Sequence, residues 1–153
     1  MAKTRTGCRA SVTVRTLRES DLGNGFLEAL DALRPASDLA PERALEVFRR
    51  LDRNQDCVVA VAEVGGRVVG AATLLVEHKF INQAGRAGHI EDVAVAVEQQ
   101  GRGIGRALVR YLLERAREAG CYKTILDCAD DVVPFYEGLG FQRRTNGMDY
   151  RHG

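Results

Sequence analysis

A β-α-β unit with a glycine-rich connection is the feature that most constrains how this chain of 153 residues can fold. Residues 88–97 and 121–128 are β-rich and mostly apolar, as expected for two strands. Between them, apolar side chains recur every four positions, which predicts a helix over residues 104–119. The two strands of such a unit run parallel and need a right-handed crossover between them.

The rest of the chain supplies further strands and helices around this unit. An α/β architecture is therefore predicted, in which a mixed central β-sheet is flanked by helices on both faces. The length fits a single domain over residues 1–153. The other predicted elements are a strand at 11–17, helices at 22–33 and 41–51, a hairpin of strands at 57–64 and 67–77, a short helix at 131–139 and a final strand at 141–151.

Composition excludes several classes of partner. Lys and Arg number 22 and Asp and Glu number 21, so the net charge of +1 argues against nucleic acid or an anionic membrane as the main partner. The longest apolar run, residues 57–62, is too short to span a bilayer. The first eighteen residues carry no hydrophobic signal region, so a cytoplasmic location is expected. The histidines lack metal-ligand spacing, which predicts no metal site, and the four cysteines, with no CxxC pair, are expected to be buried reduced thiols.

The glycine-rich loop Gln100-Gly101-Arg102-Gly103-Ile104-Gly105 carries the clearest chemical signal. Glycines let the backbone approach a ligand closely, and the following helix offers unpaired N–H groups and the positive end of its dipole. This combination favours binding of a pyrophosphate. The glycine spacing differs from the dinucleotide-binding fingerprint, and the Gly-Lys-Ser/Thr ending of a P-loop is absent.

The pattern Gln100-x-x-Gly103-x-Gly105 resembles the acetyl-CoA pyrophosphate motif of the GNAT acetyltransferase superfamily, and the predicted element order is that of the GNAT fold. Four blocks, at 77–81, 88–93, 120–128 and 135–141, further resemble the eukaryotic-type glucosamine-6-phosphate N-acetyltransferase family. The similarity is dense from 73 to 141 and faint before residue 57. The resemblance implies acetyl transfer from acetyl-CoA to the 2-amino group of glucosamine 6-phosphate for UDP-N-acetylglucosamine biosynthesis, in a homodimer that shares its active sites.

The same resemblance implies where each substrate binds. It places the pantetheine arm along the backbone of Val93, Ala94 and Val95, and the CoA sulfur at Tyr136. It also implies that the pyrophosphate is bound by Gln100, Gly101, Arg102, Gly103, Ile104, Gly105 and Arg106. The sugar phosphate pocket and its surroundings are implied at Lys79, Phe80, Glu91, Asp92, Val93, Tyr122, Lys123, Asp127 and Arg151, with some residues supplied by the partner subunit.

The catalytic hypothesis concerns Glu91, Asp127 and Tyr136. Glu91-Asp92 interrupts an apolar strand, which indicates either a β-bulge or a surface pair. With a bulge, the Val93 N–H would stabilise the oxyanion. Tyr136 would protonate or hydrogen-bond the departing thiolate, and Asp127 or Glu91 would accept the proton of the amine. On the residues alone, Tyr136 also fits a packing aromatic and Asp127 a helix cap.

Other residues limit or refine this hypothesis. We assign no base role to His78 or His89, and no acyl-enzyme is expected, because strand alternation would turn Cys128 away from the side of Asp127. Two positions depart from the family pattern: Val132 replaces a usual Asn, and Arg34 stands where a small hydroxyl residue is common. The alternatives are a GNAT enzyme acting on another amine and a non-catalytic acetyl-CoA-binding module.

Overall fold

A five-stranded sheet with strand order β1-β2-β3-β4-β5 forms the centre of the computed structural model, which describes residues 11–152. Strands β1 to β4 pair antiparallel with their neighbours, and β4 and β5 pair parallel. The mixed sheet and the parallel pair at its end are confirmed. The strands are β1 Val12–Thr16, β2 Cys57–Val64, β3 Arg67–His78, β4 Arg86–Val95 and β5 Cys121–Ile125.

Helices connect these strands and cover both faces of the sheet. The α-helices are α1 Phe26–Leu30, α2 Pro41–Asp52, α3 Ile81–Ala84, α4 Ile104–Glu118 and α5 Val133–Glu137. Three 3₁₀ turns lie at Glu19–Gly23, Val97–Gln99 and Asp130–Val132. The element α3 is a single turn in which Asn82, Gln83 and Ala84 have positive φ, so it is left-handed. No helix between residues 11 and 152 is long and apolar enough to cross a membrane.

The core lies in two layers, one on each side of the sheet. On one face, α1 and the N-terminal turn cover a cluster that includes Phe26, Val61 and Ala71. On the other face, Leu108 and Leu112 of α4 are fully buried against apolar residues of the sheet. Strand alternation sends successive side chains to these two layers. The prediction of helices on both faces is confirmed.

A buried ion pair joins β1 to the turn that follows it. Asp21 is 1% exposed, and its two carboxylate oxygens accept from the Arg15 guanidinium at 2.7 and 2.8 Å. The Arg18 N–H also donates to Asp21, and Arg15 in turn pairs with Glu63 on β2 at 2.6 Å. The hydrogen bonds from Arg15 hold the pKa of Asp21 below its ordinary value. These contacts hold the 3₁₀ turn Glu19–Gly23 against the strands β1 and β2.

The predicted helix over 22–33 is wrong in length. Only Phe26–Leu30 is α-helical, and Leu22 belongs to the preceding 3₁₀ turn. Gly25 separates the two with a φ of 94°. A Cβ at this position would lie 2.3 Å from the Val68 carbonyl oxygen, so glycine permits a close approach to β3, and the α-helix begins only after it, at Phe26.

Several other predicted boundaries also need correction. The strand predicted over 88–97 begins earlier and ends at Val95, and the strand predicted over 121–128 ends at Ile125. The short helix predicted over 131–139 is α-helical only at Val133–Glu137, where Pro134 suits the first turn. The helices predicted at 41–51 and 104–119 and the hairpin at 57–77 are confirmed to within one residue.

The final strand predicted over 141–151 is wrong. No strand follows β5 within the part of the chain that the structure describes, and Met148 and Tyr150 are 96% and 82% exposed. A β-rich sequence becomes a strand only where another strand completes its hydrogen bonds and packs against its side chains. The chain as described offers this segment no such partner.

Candidate active site

A β-bulge interrupts β4 at the acidic pair Glu91-Asp92. Thr73 of β3 is opposite Glu91, whereas Ala71 is opposite Ala94, so three steps on β4 match two steps on β3. Asp92 has a φ of 51°, in the left-handed region. The predicted bulge is confirmed. Because a bulge disrupts the ladder locally and redirects the chain, it changes the direction of backbone groups at Val93.

The strands β4 and β5 separate immediately before this bulge. They pair only where residues 86–89 are opposite residues 121–125. From Ile90 to Val95, the edge of β4 that faces away from β3 has no partner strand among residues 11–152. Backbone N–H and C=O groups along such an edge are free to bond an extended ligand. The residues predicted to contact the pantetheine arm, Val93, Ala94 and Val95, all lie on it.

The glycine-rich loop lies beside the end of β4. Gly101 and Gly103 have φ values of 74° and 82°, which residues with a side chain rarely adopt. Gly103 is the N-cap of α4, a helix of 15 residues, so the N–H groups of the first helical turn begin at the loop. The side-chain amide of Gln100 donates to the Val95 carbonyl at 3.0 Å and ties the loop to the strand. Arg102 bonds Gln99 within the loop and is exposed.

Helix α5 packs against the same loop. A Cβ at Gly105 would lie 3.5 Å from the Phe135 ring and 3.7 Å from Val95, so loop, strand and α5 meet at this point. The Arg106 guanidinium donates to the Gly138 carbonyl at 3.1 Å and lies 6.0 Å from the centre of the Phe135 ring. Residues 93–95, the loop and Tyr136 are therefore brought together at one end of the sheet.

Tyr136 is half-buried in α5 with its ring between two aromatic edges. The ring centres of Phe135 and Phe141 lie 4.9 and 5.8 Å from that of Tyr136. Burial is the main cause that raises the pKa of Tyr136, and the neighbouring Cys128 thiol raises it further. The phenol therefore stays protonated at neutral pH and can donate a hydrogen bond.

The cysteines differ from the expectation of buried thiols. Cys57 and Cys121 are half-buried, Cys128 is exposed, and Cys8 lies outside the described residues. The predicted orientation of Cys128 away from the side of Asp127 is wrong in its premise, because β5 ends at Ile125 and strand alternation does not extend to residue 128. Cys128 instead lies close enough to Tyr136 to affect its pKa.

The two candidate bases lie near the bulge. Glu91 is on β4 and Asp127 follows β5, and both are exposed. Ile125 is opposite His89 in the parallel pair, and Asp127 follows two residues after this last paired position of β5. The main chain at Gly147 packs on the Asp127 carboxylate, since a Cβ there would lie 2.6 Å from Oδ1. Neither carboxylate is enclosed, so water can reach both.

An apolar cavity adjoins the bulge on the side of α1 and α2. It measures about 220 Å³, and Asp92 and Thr73 are the polar residues of the sheet that line it. The exposed Arg34 follows α1, and the partly exposed Val132 directly precedes α5 as its N-cap. The two departures from the family pattern therefore lie in different connections, one between α1 and α2 and the other directly before α5.

The predicted phosphate ligands lie at the other end of the β4–β5 pair. Lys79 Nζ lies 2.7 Å from Glu77 Oε1, and Lys123 Nζ lies 5.7 Å from the centre of the Tyr122 ring. A Cβ at Gly85 would lie 3.0 Å from the Tyr122 ring, and Lys79 donates its N–H to the Gly85 carbonyl at 2.9 Å. Phe80, next to Lys79, is fully exposed.

The two groups of predicted site residues are well separated within one chain. Lys123 is opposite Ala87, and the six residue steps from Ala87 to Val93 correspond to ~20 Å of strand. Arg151 pairs with Asp149 in the exposed C-terminal segment. Within the described chain, one end of the β4–β5 pair therefore carries Glu91, Val93, Asp127 and Tyr136. The other end carries Lys79, Tyr122 and Lys123.

Sequence reasoning missed two residues beside Lys79. Glu77 contacts both Lys79 and His89, and neither Glu77 nor His89 had been given a role. The alternation of β3 predicts that Glu77 and Lys79 share a face, but the contact with His89 depends on the pairing register of β3 and β4. Among residues 11–152, no group of three or more His, Cys, Asp and Glu side chains could hold a metal ion.

Comparisons with known proteins agree with this arrangement. The model of the acetyltransferase (GNAT) family matches residues 25–141. Glucosamine 6-phosphate N-acetyltransferase 1 of Oryza sativa subsp. japonica is 42% identical over 138 residues, which cover 88% of this chain and 84% of that protein. The crystal structure of glucosamine-6-phosphate N-acetyltransferase from Arabidopsis thaliana superposes with a TM-score of 0.89 at 31% identity, covering 94% of this chain and 99% of that one.

A second solved structure gives the same result. An acetyltransferase of Trypanosoma brucei superposes with a TM-score of 0.84 at 37% identity, covering 93% of this chain and all of that one. The family match covers most of the chain, including the bulge, the glycine-rich loop and Tyr136. The chain therefore belongs to the GNAT acetyltransferase family and, within it, to the group of glucosamine 6-phosphate N-acetyltransferases.

Proposed function

We propose that this protein transfers the acetyl group of acetyl-CoA to the 2-amino group of D-glucosamine 6-phosphate, giving N-acetyl-D-glucosamine 6-phosphate and CoA. The observation that carries the proposal is the 42% identity to the rice enzyme over 88% of this chain. The product would enter UDP-N-acetylglucosamine biosynthesis. We also propose a cytoplasmic location, which the free thiols of Cys57, Cys121 and Cys128 support.

Acetyl-CoA is the cosubstrate of the GNAT family, and we assign its binding to the end of the sheet that carries the glycine-rich loop. The backbone of the loop from Gly101 to Gly105 and the first N–H groups of α4 would hold the pyrophosphate. The unpaired edge at Val93–Val95 would bond the amides of the pantetheine arm as a neighbouring strand would. This arrangement leads the thioester to the bulge.

The chemistry we propose is direct attack of the amine on the thioester carbonyl. The nitrogen–carbon bond forms as the carbon–sulfur bond breaks, and the amine proton passes to Glu91 or Asp127, directly or through water. The Val93 N–H stabilises the oxyanion, and Tyr136 donates its proton or a hydrogen bond to the departing sulfur. Holding amine and thioester together in one complex supplies much of the acceleration.

We also propose a homodimer with shared active sites, which the separation of the two groups of residues supports. A hexosamine phosphate is much shorter than the ~20 Å of strand that separates Val93 from the level of Lys123. We therefore propose that Lys79 and Lys123 serve the partner's site, together with Arg151. The exposed side chains of Phe80 and Ile81, directly after Lys79, support an interface at this end of the protein, because large exposed apolar groups mark contact surfaces.

The acceptor is tested by thiol release with a panel of amines. The panel contains glucosamine 6-phosphate, glucosamine, an aminoglycoside, a polyamine and a peptide with a free N-terminus. We expect rapid thiol release only with glucosamine 6-phosphate, and a product whose mass and NMR spectrum are those of N-acetylglucosamine 6-phosphate. Efficient acetylation of another amine, with none of the sugar phosphate, would refute the substrate assignment and leave acetyl transfer standing.

Shared sites are tested by mixing two defective variants. In a heterodimer of Lys79→Ala and Tyr136→Phe subunits, one site receives Tyr136 from one subunit and Lys79 from the other. Mixed dimers purified through two different affinity tags after co-expression should therefore have about half of the wild-type rate, because one of their two sites is intact. Activity equal to the average of the two parents would show that Lys79 serves the site of its own chain.

A further inference from the structure

Glu77, near the end of β3, bridges two side chains that the proposed mechanism does not use together. Its Oε1 accepts from Lys79 Nζ at 2.7 Å, and its Oε2 lies 2.8 Å from His89 Nε2. Glu77 is opposite Ala87 on β4, so His89, two residues along the same face, is its diagonal neighbour. Both carboxylate oxygens of Glu77 are therefore occupied, one by Lys79 directly after β3 and the other by His89 on β4.

These contacts fix a side chain that would otherwise be free. The Lys79 side chain is only 20% exposed, and its main chain is held by the N–H bond to the Gly85 carbonyl. The hydrogen bond between them lowers the pKa of Glu77 and raises the pKa of Lys79, so both remain charged at neutral pH. An ammonium has three N–H donors, and Glu77 accepts from one of them, which leaves two for another anion.

We propose that Glu77 is a positioning residue for phosphate recognition, which holds the Lys79 ammonium in place for the C6 phosphate of the acceptor while His89 holds Glu77. The proposal rests on the proposed function. Without Glu77, the lysine side chain would sample many rotamers, and phosphate binding would have to order it. The negative charge of Glu77 would by itself weaken phosphate binding. Removing Glu77 should therefore weaken phosphate binding if the residue positions Lys79, and strengthen it if only its charge matters.

The opposite face of the same strand end offers a matched control. His78 Nε2 lies 2.8 Å from Asp56 Oδ1, which is also an exposed carboxylate–histidine pair. Adjacent strand residues point to opposite faces, so this pair is turned away from Lys79. Asp56→Ala removes a similar ion pair without touching the Glu77 bridge.

The kinetic test compares glucosamine 6-phosphate with glucosamine. We expect Glu77→Ala to raise the KM for the phosphorylated sugar about tenfold with kcat changed less than about twofold, while glucosamine turnover and the KM for acetyl-CoA stay unchanged. Glu77→Gln should recover most of the loss, because an amide can accept from Lys79 and donate to His89. Asp56→Ala should behave as wild type. An unchanged or lower KM in Glu77→Ala, or an equal loss with both sugars, would overturn the proposal.

A second test needs no turnover. The chain has three lysines, Lys3, Lys79 and Lys123, so an amine-acylating reagent reports on each by mass spectrometry. Only the neutral amine reacts, so Lys79 should label more slowly than Lys123 in the wild type and faster in Glu77→Ala, with Lys123 unchanged. Equal Lys79 labelling in both proteins would refute the bridge. If the wild type did not acetylate glucosamine 6-phosphate, both the proposed function and the phosphate role of Glu77 would be refuted. The labelling experiment would still show whether Glu77 holds Lys79.

Discussion

Tyr136→Phe removes one hydroxyl at the proposed position of the departing sulfur. The ring contacts with Phe135 and Phe141 remain, so the fold and the position of α5 should not change. Burial raises the pKa of Tyr136, which makes the phenol a hydrogen-bond donor and a weak acid. General acid assistance contributes 10²–10⁴-fold, and a thiolate leaves well, so the lower end applies. We expect a loss of ~100-fold in the rate of acetyl transfer, or ~2.7 kcal/mol.

Single-turnover measurements separate this effect from binding. The hydroxyl matters mainly as charge develops on sulfur, so the affinity for acetyl-CoA should change little. Tyr111→Phe is the control, because its hydroxyl contacts Thr16 at 3.2 Å at the far edge of the sheet. An unchanged single-turnover rate in Tyr136→Phe would refute the leaving-group role, and so would an equal loss in Tyr111→Phe.

Two further predictions concern the cofactor loop and the buried ion pair. Gly105→Glu should lower the affinity for acetyl-CoA, measured by calorimetry, at least about tenfold. Gly105→Ala, whose Cβ has ordinary contact distances, should bind acetyl-CoA nearly as well as the wild type. Wild-type affinity in a folded Gly105→Glu protein would refute the pyrophosphate assignment. Asp21→Asn should lower the free energy of unfolding in urea by about 2–3 kcal/mol, because it breaks a buried pair with Arg15. The pKa of Asp21 is depressed from its ordinary 3.8, so this contribution to stability is complete above that pH and disappears as the pH falls through the folded-state pKa. A stability difference between the wild type and Asp21→Asn that persists below the folded-state pKa would refute the role of the Asp21 charge.

The features best predicted from the sequence are those fixed by local pattern. The acidic pair Glu91-Asp92 left a bulge and a surface pair both open, whereas the four-residue apolar repeat gives α4 and the Gly65-Gly66 turn gives the hairpin. Each depends on periodicity or turn chemistry within a few residues. The boundaries that failed depend on distant contacts instead. The close approach of Gly25 to Val68 delays the start of α1 to Phe26, and the absence of a partner for residues 141–151 within the described chain leaves them without a strand.

The site was predictable to a similar degree. The family resemblance placed Val93, the loop and Tyr136 together at the acetyl-CoA site, and the structure has them at one end of the sheet. Neither the bridge from Glu77 to His89 nor the proximity of Cys128 to Tyr136 could be predicted, because they depend on register and on where β5 ends. The distance between Lys79 and Val93 likewise appears only once the strands are paired.

The measurement that tests the account most directly is the ratio of kcat/KM for glucosamine 6-phosphate and glucosamine in the wild-type enzyme. The phosphate is remote from the reacting amine, so its contacts can position the sugar for attack. With two or more convergent cations, at ~1.5–3 kcal/mol for each charge-assisted bond, we predict a preference of at least ~100-fold for the phosphorylated sugar. Equal kcat/KM values for the two sugars would contradict the account.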